Sequence, residues 1–319
     1  MRVFRGDRGE VHPPGLIGRG VTTPLLLFWL LLAAGAGTSR AEEVWLFDVH
    51  SHHARGLHLE EVIARMDASG VRKIVLFARR QGTDKEVLDL QTKYPDRVVA
   101  AVGFQNPEWL RQVPRFLDEV EAKLRSGRFR WMGELLLRHY GVPELQAPEY
   151  DISPESDLFR RVLDLSAKYG VPVTIHHEAE PGNVESFRRA LGQNREALVV
   201  WAHWCGRAEP AMVRRFLAEF PNLYCDLGGA QRSRRYGQEK HPLIGPTGVL
   251  EPEWRAMIEA FPDRFLAAID AVDPSHYARY NEWVGELKSA LAGLPPGITR
   301  RVAFENAEGL LTRWKGPPR

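Results

Sequence analysis

Two histidines one residue apart, in the run Asp48-Val49-His50-Ser51-His52, directly follow the apolar residues Val44-Trp45-Leu46-Phe47. A run rich in β-branched and aromatic residues ahead of small polar ones reads as a buried strand reaching its end. Side chains at i and i+2 of a strand share a face, so His50 and His52 point the same way. Two imidazoles converging from one rigid strand make half of a divalent-metal site, and a borderline metal such as zinc favours imidazole nitrogen. Taken alone, the pair favours the metal reading but also admits a chance pair of surface or core histidines. Four later positions decide between these readings: Glu134 inside Met132-Gly133-Glu134-Leu135, His176 after Thr174-Ile175, His203 after Trp201-Ala202, and Asp270 after Ala268-Ile269. Each is metal-capable and stands where an apolar run should continue. Singly, each is an ordinary hydrogen-bonded residue; five such places in one chain are hard to explain independently.

These residues need elements to position them. Strand-like apolar segments occur at 44–49, 73–77, 98–104, 130–136, 171–175, 197–202, 222–227 and 264–269, with helical stretches between them. Asn106-Pro107 opens one helix as cap and first residue, with Pro114 kinking or splitting it and Gly127 beyond its end. Ser153-Pro154 opens another that Gly170 closes, while Asn183 and Glu251-Pro252 start two more. Eight strands alternating with helices fit an α/β fold of the (β/α)8 barrel type, a TIM barrel, better than a doubly wound sheet. Continuous apolar strands agree with a parallel sheet covered on both faces. No repeat or Pro/Gly/Ser linker divides the chain, so 42–319 is read as one domain, with final helices near 276–291 and 307–314 packing beside the barrel. Chemistry in such a barrel gathers at the C-terminal ends of its strands, which is where the candidates fall.

The order His-x-His on strand one, Glu on four, His on five, His on six and Asp on eight resembles the amidohydrolase superfamily of metal-dependent hydrolases. Pro262-Asp263-Arg264-Phe265-Leu266 and Phe304-Glu305-Asn306-Ala307 are similar to its amidohydrolase-2 branch. The resemblance covers roughly 44–315 and departs at strand eight, where Ala268-Ile269-Asp270 replaces the expected Gly-Ser-Asp or Gly-Thr-Asp. It implies that His50, His52, His176 and Asp270 bind a metal and that His203 binds a second metal or polarises the substrate. It also implies one or two divalent ions, zinc first and manganese or iron as alternatives, because some branches bridge two metals with a strand-four glutamate. Glu134 is either that bridge or an outer hydrogen-bond or salt-bridge partner, for example to Arg79 or Arg138.

Elementary chemistry points the same way. A divalent cation lowers the pKa of its water to about 7, and a carboxylate beside it can take the proton and pass it to a leaving group. Asp270 is the candidate base, and His203 can stabilise the oxyanion. His177 faces away from His176, and His53 lies outside the ligand set. Arg79, at the end of strand two, and Arg232, Arg235 and His241, in the loop after strand seven, are candidate substrate-binding residues, since cations at a barrel mouth can hold a carboxylate or phosphate. Gln105, near the end of strand three, is another candidate. Trp201 and Trp204 flank His203 as packing residues or pocket wall.

Arg2, Arg5, Arg8 and Arg19 precede an apolar stretch from Leu25 to Ala34, and Ser39-Arg40-Ala41 supplies small residues at −3 and −1. That is the layout of a secretory signal peptide, 1–41, cleaved before Glu42; an uncleaved segment would instead tether the protein to a membrane. The expected location is outside the cytoplasm, in the periplasm. Without the leader, 38 basic residues face 39 acidic ones, so the charge gives no argument for nucleic acid. The expected partner is a small-molecule substrate, and a homo-oligomer is compatible with the sequence. Cys205 and Cys225 read as two buried thiols, although an oxidising compartment permits a disulfide. The leading function is hydrolysis of a lactone, amide or ester-like bond. The alternatives are a decarboxylase or hydratase on the same ligands, a TatD-type nuclease, the polymerase-and-histidinol-phosphatase type that also uses Asp-x-His-x-His, and a non-catalytic secreted binding barrel.

Overall fold

The computed structural model describes residues 44–53, 56–79, 83–141, 148–231 and 240–316. The leader, Arg232 and Arg235 lie outside the described residues.

Strand β1 (Leu46–His53) is buried along its whole length. It pairs in parallel with β2 (Val71–Ala78), and the sheet continues through β3 (Val98–Gly103) and β4 (Trp131–His139). A two-residue strand, β5 (Tyr150–Asp151), adds antiparallel to the end of β4 and was not anticipated from the sequence. The parallel order resumes with β6 (Val173–His177), β7 (Val199–Trp201), β8 (Leu223–Asp226) and β9 (Phe265–Leu266). Beyond β9 the chain returns to β1: Val49 donates to the Ala267 carbonyl at 3.1 Å, Asp270 to that of His50 at 2.6 Å, and His52 to that of Ala271 at 2.8 Å. The result is a nearly closed barrel of eight parallel strands.

The covering helices follow their local signals. Pro114 splits the third expected helix into Pro107–Leu110, capped by the Asn106 side chain, and Phe116–Arg125. Ser156, not Ser153, caps Asp157–Tyr169 by accepting from the Phe159 N–H, and Gly170 closes that helix at φ 63°. Inside the barrel, Phe47, Val49, Val75, Phe77, Val99, Trp131, Val200 and Leu266 form a dry floor. Among the described residues, no helix is long and apolar enough to cross a membrane.

The seam between first and last strands is held by side chains as well as backbone. Asp48 is fully buried; its Oδ1 accepts the N–H groups of His50 (3.1 Å) and Ile269 (2.9 Å), and its Oδ2 accepts the hydroxyls of Ser51 (2.6 Å) and Tyr280 (2.7 Å). Burial pushes its carboxyl up to about 6 against those four hydrogen bonds. The two cysteines correct the reading of free thiols. They form a disulfide with Cα atoms 4.9 Å apart, because Cys205 lies in a turn leaving β7 directly beside Cys225 on β8, an adjacency that spacing in sequence does not reveal.

Removing one hydroxyl from the seam isolates its contribution. Tyr280→Phe leaves Asp48 with one donor fewer in a dry site and should lower stability by about 1–2 kcal/mol in urea unfolding. An unchanged midpoint would show that the bond does not help to close the barrel.

Candidate metal centre

The sequence places six metal-capable residues at strand ends; local backbone irregularities bring them to one point. A bulge between Asp48 and Ser51 in the β1–β2 register carries His50, and one between Met132 and Leu135 in the β4–β6 register carries Glu134. Bulges re-aim side chains at the rims of barrels. After β7 the chain enters a left-handed turn with φ values of 58°, 41° and 63° at His203, Trp204 and Cys205. Side chains resist that conformation by roughly 1–2 kcal/mol each, so the turn needs support. Trp201 Nε1 donates to the His177 carbonyl, the Arg207 N–H to that of His203, and the disulfide holds Cys205. Gly206 completes the turn where a Cβ would lie 2.3 Å from the His177 carbonyl oxygen. Asp270 also has positive φ, 59°.

All six side chains are buried and form two sets, His50/His52/Asp270 and Glu134/His176/His203. Glu134 spans both. Its Oε2 lies 3.5 Å from His50 Nε2 and 3.6 Å from His52 Nε2, while its Oε1 lies 2.8 Å from His176 Nδ1 and 3.4 Å from His203 Nε2. Asp270 Oδ1 stands 3.7 and 3.5 Å from the Nε2 atoms of His50 and His52. His176 is thus grouped with Glu134 and His203 rather than with the strand-one pair.

The donor set fits a divalent cation. Two atoms each ~2.1 Å from a tetrahedral ion lie about 3.4 Å apart, close to the separations around His50 and His52. Both Nε2 atoms are buried and have no hydrogen-bond partner among the described residues. In the second set, hydrogen bonds already join His176 to Glu134 and to His203, the latter at 3.0 Å.

Outer groups fix the rings, and the sequence reading passed over most of them. Glu178 accepts from His176 Nε2 at 2.9 Å and is itself paired with Arg207. Asp226 faces His50 Nδ1, and the Gly228 carbonyl faces His203 Nδ1. Gln105 donates to Glu134 Oε2 at 2.5 Å. Gln105 is placed by the end of strand three; the others are unremarkable polar residues of loops and strand ends, with no spacing that singles them out.

The remaining candidates fall as follows. Arg79 follows β2, and its charge disfavours the protonated form of His52. Arg138 pairs with Glu149 and Glu180 rather than with Glu134. His241 is not among the six; its carbonyl accepts the Trp204 indole N–H. His53 bonds Glu86, and His177 stacks on Phe187 away from the cluster.

Without a cation the carboxylates are balanced by protons on imidazole. Burial works against the charged ring of His50, but Asp226, Glu134 and Asp270 overcome it and hold its pKa well above the usual value. Burial likewise opposes the charge on His176, yet Glu134 and Glu178 bring it to about 9. Burial takes His52 down to about 4, and burial together with Arg207 lowers His203. Glu134 is held well below the carboxylate range: burial raises it, and the surrounding histidines more than reverse that.

The amidohydrolase family model matches residues 48–313. An uncharacterised TIM-barrel protein from Bordetella bronchiseptica superposes with a TM-score of 0.56 at 16% identity, covering 80% of this chain and 83% of that one. The 2,6-dihydroxybenzoate decarboxylase from Rhizobium superposes with a TM-score of 0.56 at 13% identity, covering 85% of this chain and 99% of its own. At those identities the likeness concerns the fold. No curated protein sequence matched the chain.

The protonation pattern predicts how metal uptake depends on pH. A cation must displace the imidazole protons, so the zinc affinity of stripped protein should rise with pH from 6 towards about 9, where His176 loses its proton. Chelator competition at several pH values measures this, and an affinity independent of pH would contradict it.

Proposed function

The chain belongs to the amidohydrolase family, and from that premise we propose that it is a metal-dependent hydrolase of a small molecule with a lactone, amide or ester-like bond. The observation that carries this reading is Glu134, whose two oxygens face two separate histidine pairs inside one buried pocket of donors. His50, His52 and Asp270 with Glu134 Oε2 would hold one divalent ion, zinc first and manganese or iron as alternatives. His176 and His203 with Glu134 Oε1 would hold a second. A divalent ion there supplies positive charge that acidifies water and stabilises negative charge developing on oxygen.

The chain's own groups do the rest. Asp270, with Oδ1 3.7 and 3.5 Å from the Nε2 atoms of His50 and His52, accepts the proton of the attacking water, then returns it to the leaving oxygen or nitrogen. Water adds across the scissile bond, giving an acid and an alcohol or amine. His203 orients the attacked carbonyl and stabilises its oxyanion. Arg79, Arg232, Arg235 and His241 remain the proposed contacts for an anionic part of the substrate. Export behind a cleaved leader, 1–41, belongs to the same proposal, and the Cys205–Cys225 disulfide supports an oxidising compartment.

Arg207 favours a second reading. This guanidinium is paired with Glu178 beside His176, where a substrate carboxylate could be held. The reacting group would then be that carboxylate: its carbon–carbon bond breaks, carbon dioxide leaves, and a proton takes its place on the carbon, the type of reaction for which the Rhizobium protein is named.

Turnover of a panel of lactones, esters, amides and hydroxybenzoates in 18O-labelled water separates the two. Hydrolysis places 18O in the product acid, whereas decarboxylation releases carbon dioxide and leaves the ring unlabelled. Asp270→Asn should lower the rate about 10²–10⁴-fold, the contribution of a general base, with unchanged circular dichroism. Full activity in that variant would remove Asp270 from the mechanism.

A further inference from the structure

Asp226 ends β8, is fully buried, and divides its two oxygens between different partners. Oδ1 accepts the backbone N–H of His203 at 3.1 Å and that of Gly228 at 2.9 Å. Oδ2 lies 3.0 Å from His50 Nδ1. An ionised carboxylate only accepts hydrogen bonds, so His50 must carry a proton on Nδ1. When the ring is neutral, its lone pair is therefore on Nε2, the nitrogen aimed at Glu134 and Asp270.

The same carboxylate acts on His203 at one remove. Gly228, whose N–H is held by Oδ1, turns its carbonyl to His203 Nδ1 at 2.8 Å. A carbonyl also only accepts, so this ring too carries its proton on Nδ1 and presents Nε2 to Glu134. A side chain at residue 228 would crowd both groups: a Cβ would stand 3.0 Å from Asp226 Oδ1 and 3.3 Å from His50 Nδ1.

We propose that Asp226 is a positioning residue that sets the tautomer of His50 directly, and of His203 through Gly228, so that each ring, once neutral, turns a bare Nε2 to its half of the centre. Its consequence for metal binding rests on the reading above; the placement of the proton does not. A carboxylate behind a ligating histidine typically changes metal affinity 10–100-fold.

The division of labour between the two oxygens defines a substitution of equal volume. In Asp226→Asn, the amide NH2 cannot face the two backbone N–H groups, because donors would meet donors. The amide oxygen must stay there, and the NH2 must face His50 Nδ1. That nitrogen then has to accept, and the proton moves to Nε2. The backbone bonds to His203, in the left-handed turn, and to Gly228 are both kept, so the fold is preserved while the ligand atom is blocked.

The experiment combines nitrogen NMR of 15N-histidine-labelled, metal-stripped protein with zinc affinity by chelator competition, for the wild type and Asp226→Asn. At a pH where the ring is neutral, the expected result is His50 Nδ1 protonated in the wild type and bare in the variant, with zinc bound 10–100-fold more weakly and circular dichroism unchanged. A wild-type Nδ1 without a proton overturns the proposal and needs no variant. A variant whose Nδ1 stays protonated, or whose zinc affinity is unchanged, overturns it as well. If neither protein binds zinc, the metal reading fails, and the nitrogen spectra still decide where Asp226 places the proton.

Discussion

Four imidazoles and two carboxylates occupy one buried region at the mouth of this barrel, and the cost of removing such groups from water constrains everything around them. An ion taken into a protein interior costs several kcal/mol unless it is paired and hydrogen-bonded. Here the pairing is layered. Glu134 and Asp270 face the inner nitrogens, while Asp226, Glu178 and the Gly228 carbonyl face the outer ones. Each of these three outer contacts leaves the inner nitrogen of its ring directed at the centre. The exception is His52, whose ring is held by burial against Phe77 and His50 rather than by a hydrogen bond.

That arrangement exceeds what regular strands can deliver, and the backbone departs from regularity where the charges sit. Bulges in β1 and β4 turn His50 and Glu134, and residues with positive φ carry His203 and Asp270. Strained backbone persists only where its surroundings over-determine it. The surroundings here are the disulfide and the Asp226 carboxylate, both anchored on β8, and the Asp48 seam on β1. The buried apolar floor of Phe77, Trp131 and Val200 lowers the local dielectric, which strengthens the electrostatic contacts of the centre.

Much of this could be read from the residues. Parallel strands buried on both faces announce themselves as apolar runs, so the eight strands and their order were legible, and a histidine or carboxylate that interrupts such a run is conspicuous for the same reason. Glu178 and Asp226 were not legible, because an acidic residue after a strand is ordinary until its partner is known, and Asp226 meets His50 across 176 positions. The division of the six residues into two sets depends on bulges, which leave no mark in composition. The disulfide was missed because its geometry is created by a left-handed turn of non-glycine residues, which local propensity argues against. The helix starting at Asp157 rather than near Ser153 reflects two competing serine caps, of which Ser156 accepts the Phe159 N–H.

The central claim is that these donors hold divalent metal, with Glu134 shared between two ions. Metal content by plasma mass spectrometry, on residues 42–319 purified without chelator and reconstituted with zinc or manganese, tests it most directly. The account predicts close to two ions per chain, falling to one or fewer in Glu134→Gln. A protein that takes up no metal under these conditions would contradict it.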